Sequence, residues 1–265
     1  MAITRLKHLI ATALLTTLAG VSNATIIQIQ ISIGQIIEVN LFDENTPATV
    51  ANFLSYVDDN SYDNTLVHRS IGNFITQGGG YYLDTRVDED EEFTISSVTR
   101  KASVINEPIY SNVRGTIAMA KLSSNPNSAT SEWFINLADN SCNLDKQNSG
   151  FTVFGQITQN SLAALDAIAA LPTYDASSID GALTNTPLDN YSGTLTRENF
   201  VFIEAMAVTD PNANSANDLT PAPNIFLAGS NNSKCETKDS DGGGAPSGGF
   251  LVLMLSLLAL GRRTK

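Results

Sequence analysis

Apolar and polar positions alternate from residue 25 onward. Ile27, Ile29, Ile31 and Ile33 alternate with Gln28, Gln30 and Ser32; after Gly34-Gln35, Ile37, Val39 and Leu41 alternate with Glu38 and Asn40. This period of two over residues 25–41 predicts a hairpin with one buried and one wet face. The period then changes. Val50, Phe53, Leu54 and Val57 form a helical stripe, with Thr46 placed to cap it, Pro47 at the first helical position and Asp58-Asp59-Asn60 to end it.

Further on, short apolar runs separated by polar turns predict a mainly β domain. Residues 115–121 (GTIAMAK), 131–137 (SEWFINL, with the only Trp), 151–157 (FTVFGQI) and 200–208 read as strands. Residues 122–130 and the stretch around Asn143-Leu144-Asp145 read as loops, and Asn106-Glu107-Pro108 begins a bend. A second helix is predicted over residues 161–171, with Ser161 as its cap, Leu162, Leu165, Ile168 and Leu171 inward and Pro172 as its stop. Residues 173–198 are long for a loop inside a domain and read as an insertion, while the Asn-, Ser-, Pro- and Gly-rich residues 209–249 read as a linker. A sheet of many short strands tends to close on itself and hide its edges.

Residues 65–80 (TLVHRSIGNFITQGGG) hold the densest chemistry. Val67, Arg69 and Ile71 alternate with His68 and Ser70, and Phe74-Ile75-Thr76-Gln77 leads into three glycines, where the chain turns or passes close to a neighbour. Taken singly, Arg69 is a surface arginine, His68 a packed structural histidine and the strand aromatics are core.

The two ends change the picture of where the chain works. Residues 1–24 combine Arg5 and Lys7, a short apolar run and the small-residue site Ser22-Asn23-Ala24, the order of a secretory signal peptide. At the other end a Gly-rich stretch precedes an apolar segment from Phe250 and the basic residues Arg262, Arg263 and Lys265. That sequence of features resembles the GlyGly-CTERM sorting tails of Gram-negative bacteria. The resemblance implies export to the periplasm, the cell surface or the medium, a rhombosortase-like protease as a partner that trims the tail, and membrane contact only through residues 250–265. Removing both ends takes away five bases and no acid, so the formal charge moves from −12 to about −17. Such a surface repels phosphate backbones, and nucleic acid is not an expected partner. The acidic run 88–92 lacks the spaced ligands and glycine of a calcium loop and reads as solvated. Cys142 and Cys235 leave three states open: a disulfide tying the tail to the domain, two free thiols, or an intermolecular bond from Cys235.

Several motifs in order resemble the cyclophilins, the peptidyl-prolyl cis-trans isomerase family. Asn52-Phe53-Leu54 and Tyr62-Asp63-Asn64-Thr65 match its first helix and the approach to its central strand. His68-Arg69 followed by Phe74 to Gly79 is similar to its FHR…FxxQGG signature; residues 115–120 are similar to GxxxMA, 128–136 to the bacterial SATSQFFIN segment and 153–157 to VFGxV. The resemblance covers residues 26–208 and, with the ends set aside, divides the chain into a signal peptide (1–24), an isomerase domain (25–208), a linker (209–249) and a sorting tail (250–265). It implies a closed eight-stranded antiparallel β-barrel with two capping helices and a ligand groove on its outside. By position it implies Arg69 as the catalytic guanidinium and Phe74, Ile75, Phe134, Leu144 and Phe151 as a proline pocket. Gln77 and the backbone at Ala120 and Lys121 would bind the peptide main chain, with Trp133 pointing into the core. The expected partners are proline-containing peptides or unfolded exported proteins, and the expected state is a monomer.

No bond breaks in prolyl isomerisation, so no metal, cofactor, nucleophile or general base is expected. Three positions depart from the family pattern. Val67 replaces the Phe of the FHR motif, Asn143 stands where many members carry a large aromatic, and Glu132 stands where the family has Gln. A carboxylate facing the peptide at position 132 is expected to pair with Arg69 and compete for its protons, or to repel acidic peptides, and in either case to weaken catalysis. The alternative function is a non-catalytic module that binds proline peptides or acts as a chaperone.

Overall fold

The computed structural model describes residues 25–84, 93–211, 219–224, 226–227 and 235. The signal-peptide reading (1–24), the acidic run 88–92 and the sorting tail (250–265) lie outside the described residues.

The alternating isoleucines form β1 (Ile26–Ile31) and β2 (Gln35–Leu41), paired antiparallel with Ile29 opposite Ile37. Ile27, Ile29, Ile31, Ile37, Val39 and Leu41 are buried, as their period requires. The turn is wider than Gly34-Gln35: Gly34 takes φ +74°, its N–H donates to Ile31 O at 3.0 Å, and Ile33 falls in the turn instead of on the strand.

Helix α1 (Pro47–Asp58) buries Val50, Phe53 and Val57 as predicted, and Tyr56 as well, while Leu54 is half-buried. Its cap is a correction. Thr46 Oγ1 donates to Phe42 O at 3.2 Å and caps nothing. The orphan N–H groups of Ala48 and Thr49 instead donate to the carboxylate of Glu107 at 3.3 and 2.9 Å, and Thr49 Oγ1 donates to it at 2.7 Å. An anion there also suits the positive end of the helix dipole.

The remaining sheet strands are β3 (Thr65–Leu66), β4 (Arg69–Ile71), β5 (Ile75–Gly78), β6 (Tyr81–Leu83), β7 (Ile95–Ser97), β8 (Thr116–Met119), β9 (Trp133–Asn136), β10 (Val153–Ile157) and, past a small β11 (Thr173–Tyr174) and β12 (Thr186–Pro187), β13 (Phe202–Asp210). Among the described residues, eleven of the thirteen strands make one antiparallel sheet in the order β4-β5-β9-β8-β10-β2-β1-β13-β3-β6-β7. The sheet curls into a half-barrel; β4 and β7 end it and do not pair, so the closed eight-stranded barrel is not what forms. Two causes are visible. Breaks at Val67-His68 and at Gly79-Gly80 split long strands into β3/β4 and β5/β6. The free edge of β4 is met by the insertion before β13, with Ser70 N donating to Asn185 O at 2.9 Å and Thr186 Oγ1 to His68 O at 3.3 Å.

That insertion, read from sequence as loop, contains β11 and β12, paired with each other, and packs Ala176, Leu183 and Leu188 with Leu66, Tyr81 and Phe200. The second predicted helix is shorter than expected, α3 (Leu162–Ala169), and a short α2 (Ser141–Leu144) stands where a loop was expected. Ser161 does not cap α3; its Oγ accepts from Glu38 N at 2.8 Å.

Cys142 and Cys235 form a disulfide with Cα atoms 5.4 Å apart, which resolves the cysteine question in favour of the intramolecular bond. Part of the predicted linker is also seated on the domain: Tyr110 bridges to Pro223, and Asn224 is buried.

Candidate active site

Period-two alternation on β8 and β9 sorts side chains into two cores. Met119, Ile117, Trp133 and Ile135 join the main core with α1, so Trp133 points inward as expected. Their neighbours Ala118, Ala120 and Phe134 face the other way and join Phe42, Ile75, Leu144, Phe151 and Val153 in a second cluster, with Phe74, Tyr110 and Leu219 packed partly buried against it.

Strand register places the candidate residues in a single row across the sheet. Arg69 pairs with Gln77, Gln77 with Phe134, Phe134 with Ala118, and Ala118 with Val153. Residues paired across strands share a face. The row therefore runs from a guanidinium through an amide onto an apolar floor. Ile75, Phe134 and Leu144 are buried in that floor, and Phe151 lies edge-on to Phe134 with ring centroids 5.7 Å apart. Phe74 and Arg69 are half-buried at the rim. Phe74 is held through its carbonyl, which accepts from Leu137 N and Asn140 Nδ2, both at 2.8 Å.

Gly79, just past β5, lets the chain pass close to the start of β9. Its φ is +76°, and a Cβ there would lie 2.7 Å from Ser131 O and 2.8 Å from the Trp133 ring.

Arg69 Nη1 donates to Gln77 Oε1 at 3.3 Å, and Gln77 Nε2 donates to Glu132 Oε2 at 2.8 Å. Gln77 is thus interposed between the two charges, and among the described residues Arg69 forms no ion pair with Glu132. The direct pairing anticipated for Glu132 is corrected to an indirect one, because the amide spans the gap and satisfies both partners. Gln77 is also the only hydrogen-bond partner of the Arg69 side chain among the described residues, so the other guanidinium N–H groups stay available to a ligand. Burial lowers the Arg69 pKa, opposed by the charge of Glu132, and an arginine keeps its proton under such a shift.

Glu132 is nearly fully buried, which raises its pKa to about 7; the Gln77 hydrogen bond and the charges of Arg100 and Arg69 limit the rise. His68 Nε2 lies 3.7 Å from Glu132 Oε2. Burial, with help from Arg69, takes His68 down to about 3, so its imidazole is neutral and the contact is polar, not an ion pair.

Of the backbone pair expected to meet peptide, Ala120 donates its N–H to Glu132 O at 2.9 Å. The Lys121 side chain turns inward. Its Nζ donates to Gly150 O at 2.6 Å and Asn148 O at 3.0 Å, sits 4.8 Å from the Phe151 ring centroid, and is lowered to about 8 by burial. The predicted site residues thus come together at one face, with Lys121 buried beneath it. Sequence reasoning passed over Phe42, Ala118 and Val153 in the floor; for Ala118 the signal was its alternation with Met119.

Comparison with known proteins gives the family. The family model described as cyclophilin type peptidyl-prolyl cis-trans isomerase matches residues 26–190. A peptidyl-prolyl cis-trans isomerase of Acinetobacter baylyi is 38% identical over 150 residues, covering 56% of this chain and 74% of that protein. Peptidyl-prolyl cis-trans isomerase A of Dickeya dadantii is 37% identical over 139 residues, covering 52% of this chain and 67% of that protein. A crystallised cyclophilin type isomerase of Cryptosporidium parvum aligns at 21% identity and a TM-score of 0.49, over 71% of this chain and 98% of that one. The chain belongs to the cyclophilin-type peptidyl-prolyl cis-trans isomerases, a family of isomerases.

Proposed function

We propose that the chain catalyses cis-trans isomerisation of X–Pro bonds, with Arg69 as the catalytic residue. The observation that carries this reading is the cross-strand row that sets a charged, half-buried guanidinium beside the apolar floor of Phe134, Ile75, Leu144 and Phe151. Amide resonance opposes rotation by about 18–20 kcal/mol. In the twisted amide the prolyl nitrogen regains a lone pair, and Arg69 donates to it. A hydrogen bond of this charged kind contributes roughly 1.5–3 kcal/mol, about one to two decades of rate. The remainder comes from gripping the ring against the floor, with Phe74 at the rim, while Gln77 and the backbone at Ala120 and Lys121 hold the peptide. Binding of this kind favours the twisted geometry over either planar form.

The substrates proposed are exported proteins whose folding waits on proline. That part of the reading rests on the signal-like residues 1–24 and the GlyGly-CTERM-like tail, which a rhombosortase-like protease would trim. The tail is also the only proposed contact with a membrane.

A second reading, a proline-peptide binder with dulled chemistry, draws on Glu132, whose charge faces Arg69 through one amide. A protease-coupled isomerisation assay beside a peptide titration separates the two. Turnover supports the enzyme; binding without turnover supports the second reading; neither binding nor turnover removes both.

A further inference from the structure

Residues 219–224, 226–227 and Cys235 lie beyond the match to the family model, which ends at residue 190, yet they are fastened to the wall of the proposed pocket. That wall is the stretch from α2 to β10, which carries Leu144 and Phe151, joined to each other by Phe151 N donating to Leu144 O at 2.9 Å.

Four separate fastenings meet this stretch or the strand-like residues behind it. Ser111 N donates to Ala222 O and Asn224 N to Ile109 O, both at 2.8 Å, closing a single antiparallel bridge between Tyr110 and Pro223. The buried Asn224 side chain donates from Nδ2 to Pro108 O at 2.9 Å and to Asp145 O at 3.3 Å, and its Oδ1 accepts from Phe226 N at 3.0 Å. Lys146 Nζ sits 4.3 Å from the Phe226 ring centroid. The Cys142–Cys235 disulfide closes the far end on α2, two residues before Leu144. Behind the wall, the Asp145 carboxylate accepts from Ser111 Oγ at 2.6 Å and Asn112 N at 2.8 Å, so the segment and the wall share one polar scaffold.

We propose that residues 219–224, with the disulfide, act as a strap that holds the Leu144–Phe151 wall in its ring-gripping position, Asn224 being the positioning residue. These residues lie past the stretch that the family model matches. It rests on the reading of the second cluster as the proline pocket. Leu219, packed on the same cluster, completes the contact. A wall fixed in advance lowers the ordering cost of binding, so the strap acts on affinity more than on the step at Arg69.

The test uses the full-length oxidised chain and titrates an Ala-Ala-Pro-Phe peptide at low temperature, where circular dichroism shows each sample folded. Two independent perturbations are compared with the wild type. One is Asn224→Asp, which removes both Nδ2 donors and keeps the size. The other is reduction of the already folded wild type by excess dithiothreitol, which supplies two electrons and two protons and leaves as its cyclic disulfide. The expected result in both is a rise in peptide Kd of about fivefold, with kcat changed less than about twofold. An unchanged Kd in both folded samples overturns the proposal. So does a fall in Kd, which would mean the segment obstructs the pocket instead of bracing it. Because Kd needs no turnover, an inactive wild type that still binds the peptide fails the enzyme reading while leaving this comparison decisive. If Asn224→Asp does not fold, the reduction arm decides alone.

Discussion

Glu132 offers the sharpest perturbation of the site. Its carboxylate is tied to Gln77, which is tied to Arg69, and burial brings its pKa to about 7. Below that pH the side chain is neutral, as the family's Gln would be; above it a negative charge faces the guanidinium through one amide. At an effective dielectric near 20, two unit charges separated by one side-chain amide interact by roughly 2 kcal/mol. The prolyl nitrogen gains only a fraction of a charge in the twisted state, so about 0.4–1 kcal/mol reaches the barrier, roughly two- to fivefold in rate. The charged groups facing Glu132 are Arg69 and Arg100, with neutral His68 and Tyr62 beside them. His68, at about 3, does not titrate near neutrality. Isomerisation is therefore expected to slow as pH rises through about 7 in the wild type, and Glu132→Gln is expected to remove that limb and hold the faster rate. Lys121, at about 8, supplies any change common to both proteins at the upper end. A protease-independent assay by NMR exchange over this range reads the result. A flat wild-type profile, or a Glu132→Gln rate equal to or below the wild type above neutrality, refutes the reasoning.

Three further outcomes follow from the same geometry. The raised pKa of Glu132 favours the native state in its protonated form, so its contribution to stability is complete below about 4.5 and is lost as pH rises through about 7, in all roughly 3 kcal/mol; thermal melts should show the advantage of Glu132→Gln growing over that window, and a constant difference would contradict it. Glu107→Ala strips the acceptors from two helix N–H groups and Thr49 Oγ1, and urea unfolding should show a loss of about 1–2 kcal/mol, whereas an unchanged midpoint would mean water replaces the cap. Gly79→Ala meets both a positive φ and a backbone oxygen, so the folded yield and the melting temperature should fall, while Gly34→Ala, with open space around it, should cost less.

Much of this arrangement was legible because it follows from strict periodicity. The alternation of Trp133 with Phe134, and of Met119 with Ala118 and Ala120, decides which residues enter the main core and which form the second cluster. Once the strands are placed, Arg69 falls in register with Gln77 and Phe134. What sequence could not supply depends on contacts distant along the chain. Thr46 carried the local signal for a cap, but Glu107, 58 residues from Thr49, took the role and left Thr46 bonded to Phe42. The insertion around β11 and β12 looked like loop because Leu183 and Leu188 have no regular spacing, and only the face of Leu66, Tyr81 and Phe200 gives them a place to pack. The expected meeting of Arg69 with Glu132 failed for a simpler reason: Gln77 can donate and accept at once, so it fits between them better than either charge fits the other. The strap was hidden by composition, since a stretch rich in Asn, Ser and Pro reads as linker until its backbone groups are seen paired.

The central claim is that the guanidinium of Arg69 lowers the barrier to prolyl rotation. Its most direct test is kcat/KM for an X–Pro tetrapeptide in the wild type and in Arg69→Ala, with Kd measured on the same samples. The account predicts a fall in kcat/KM of about ten- to a hundredfold with Kd within about threefold, because the apolar floor remains. Equal kcat/KM in the two proteins would contradict it.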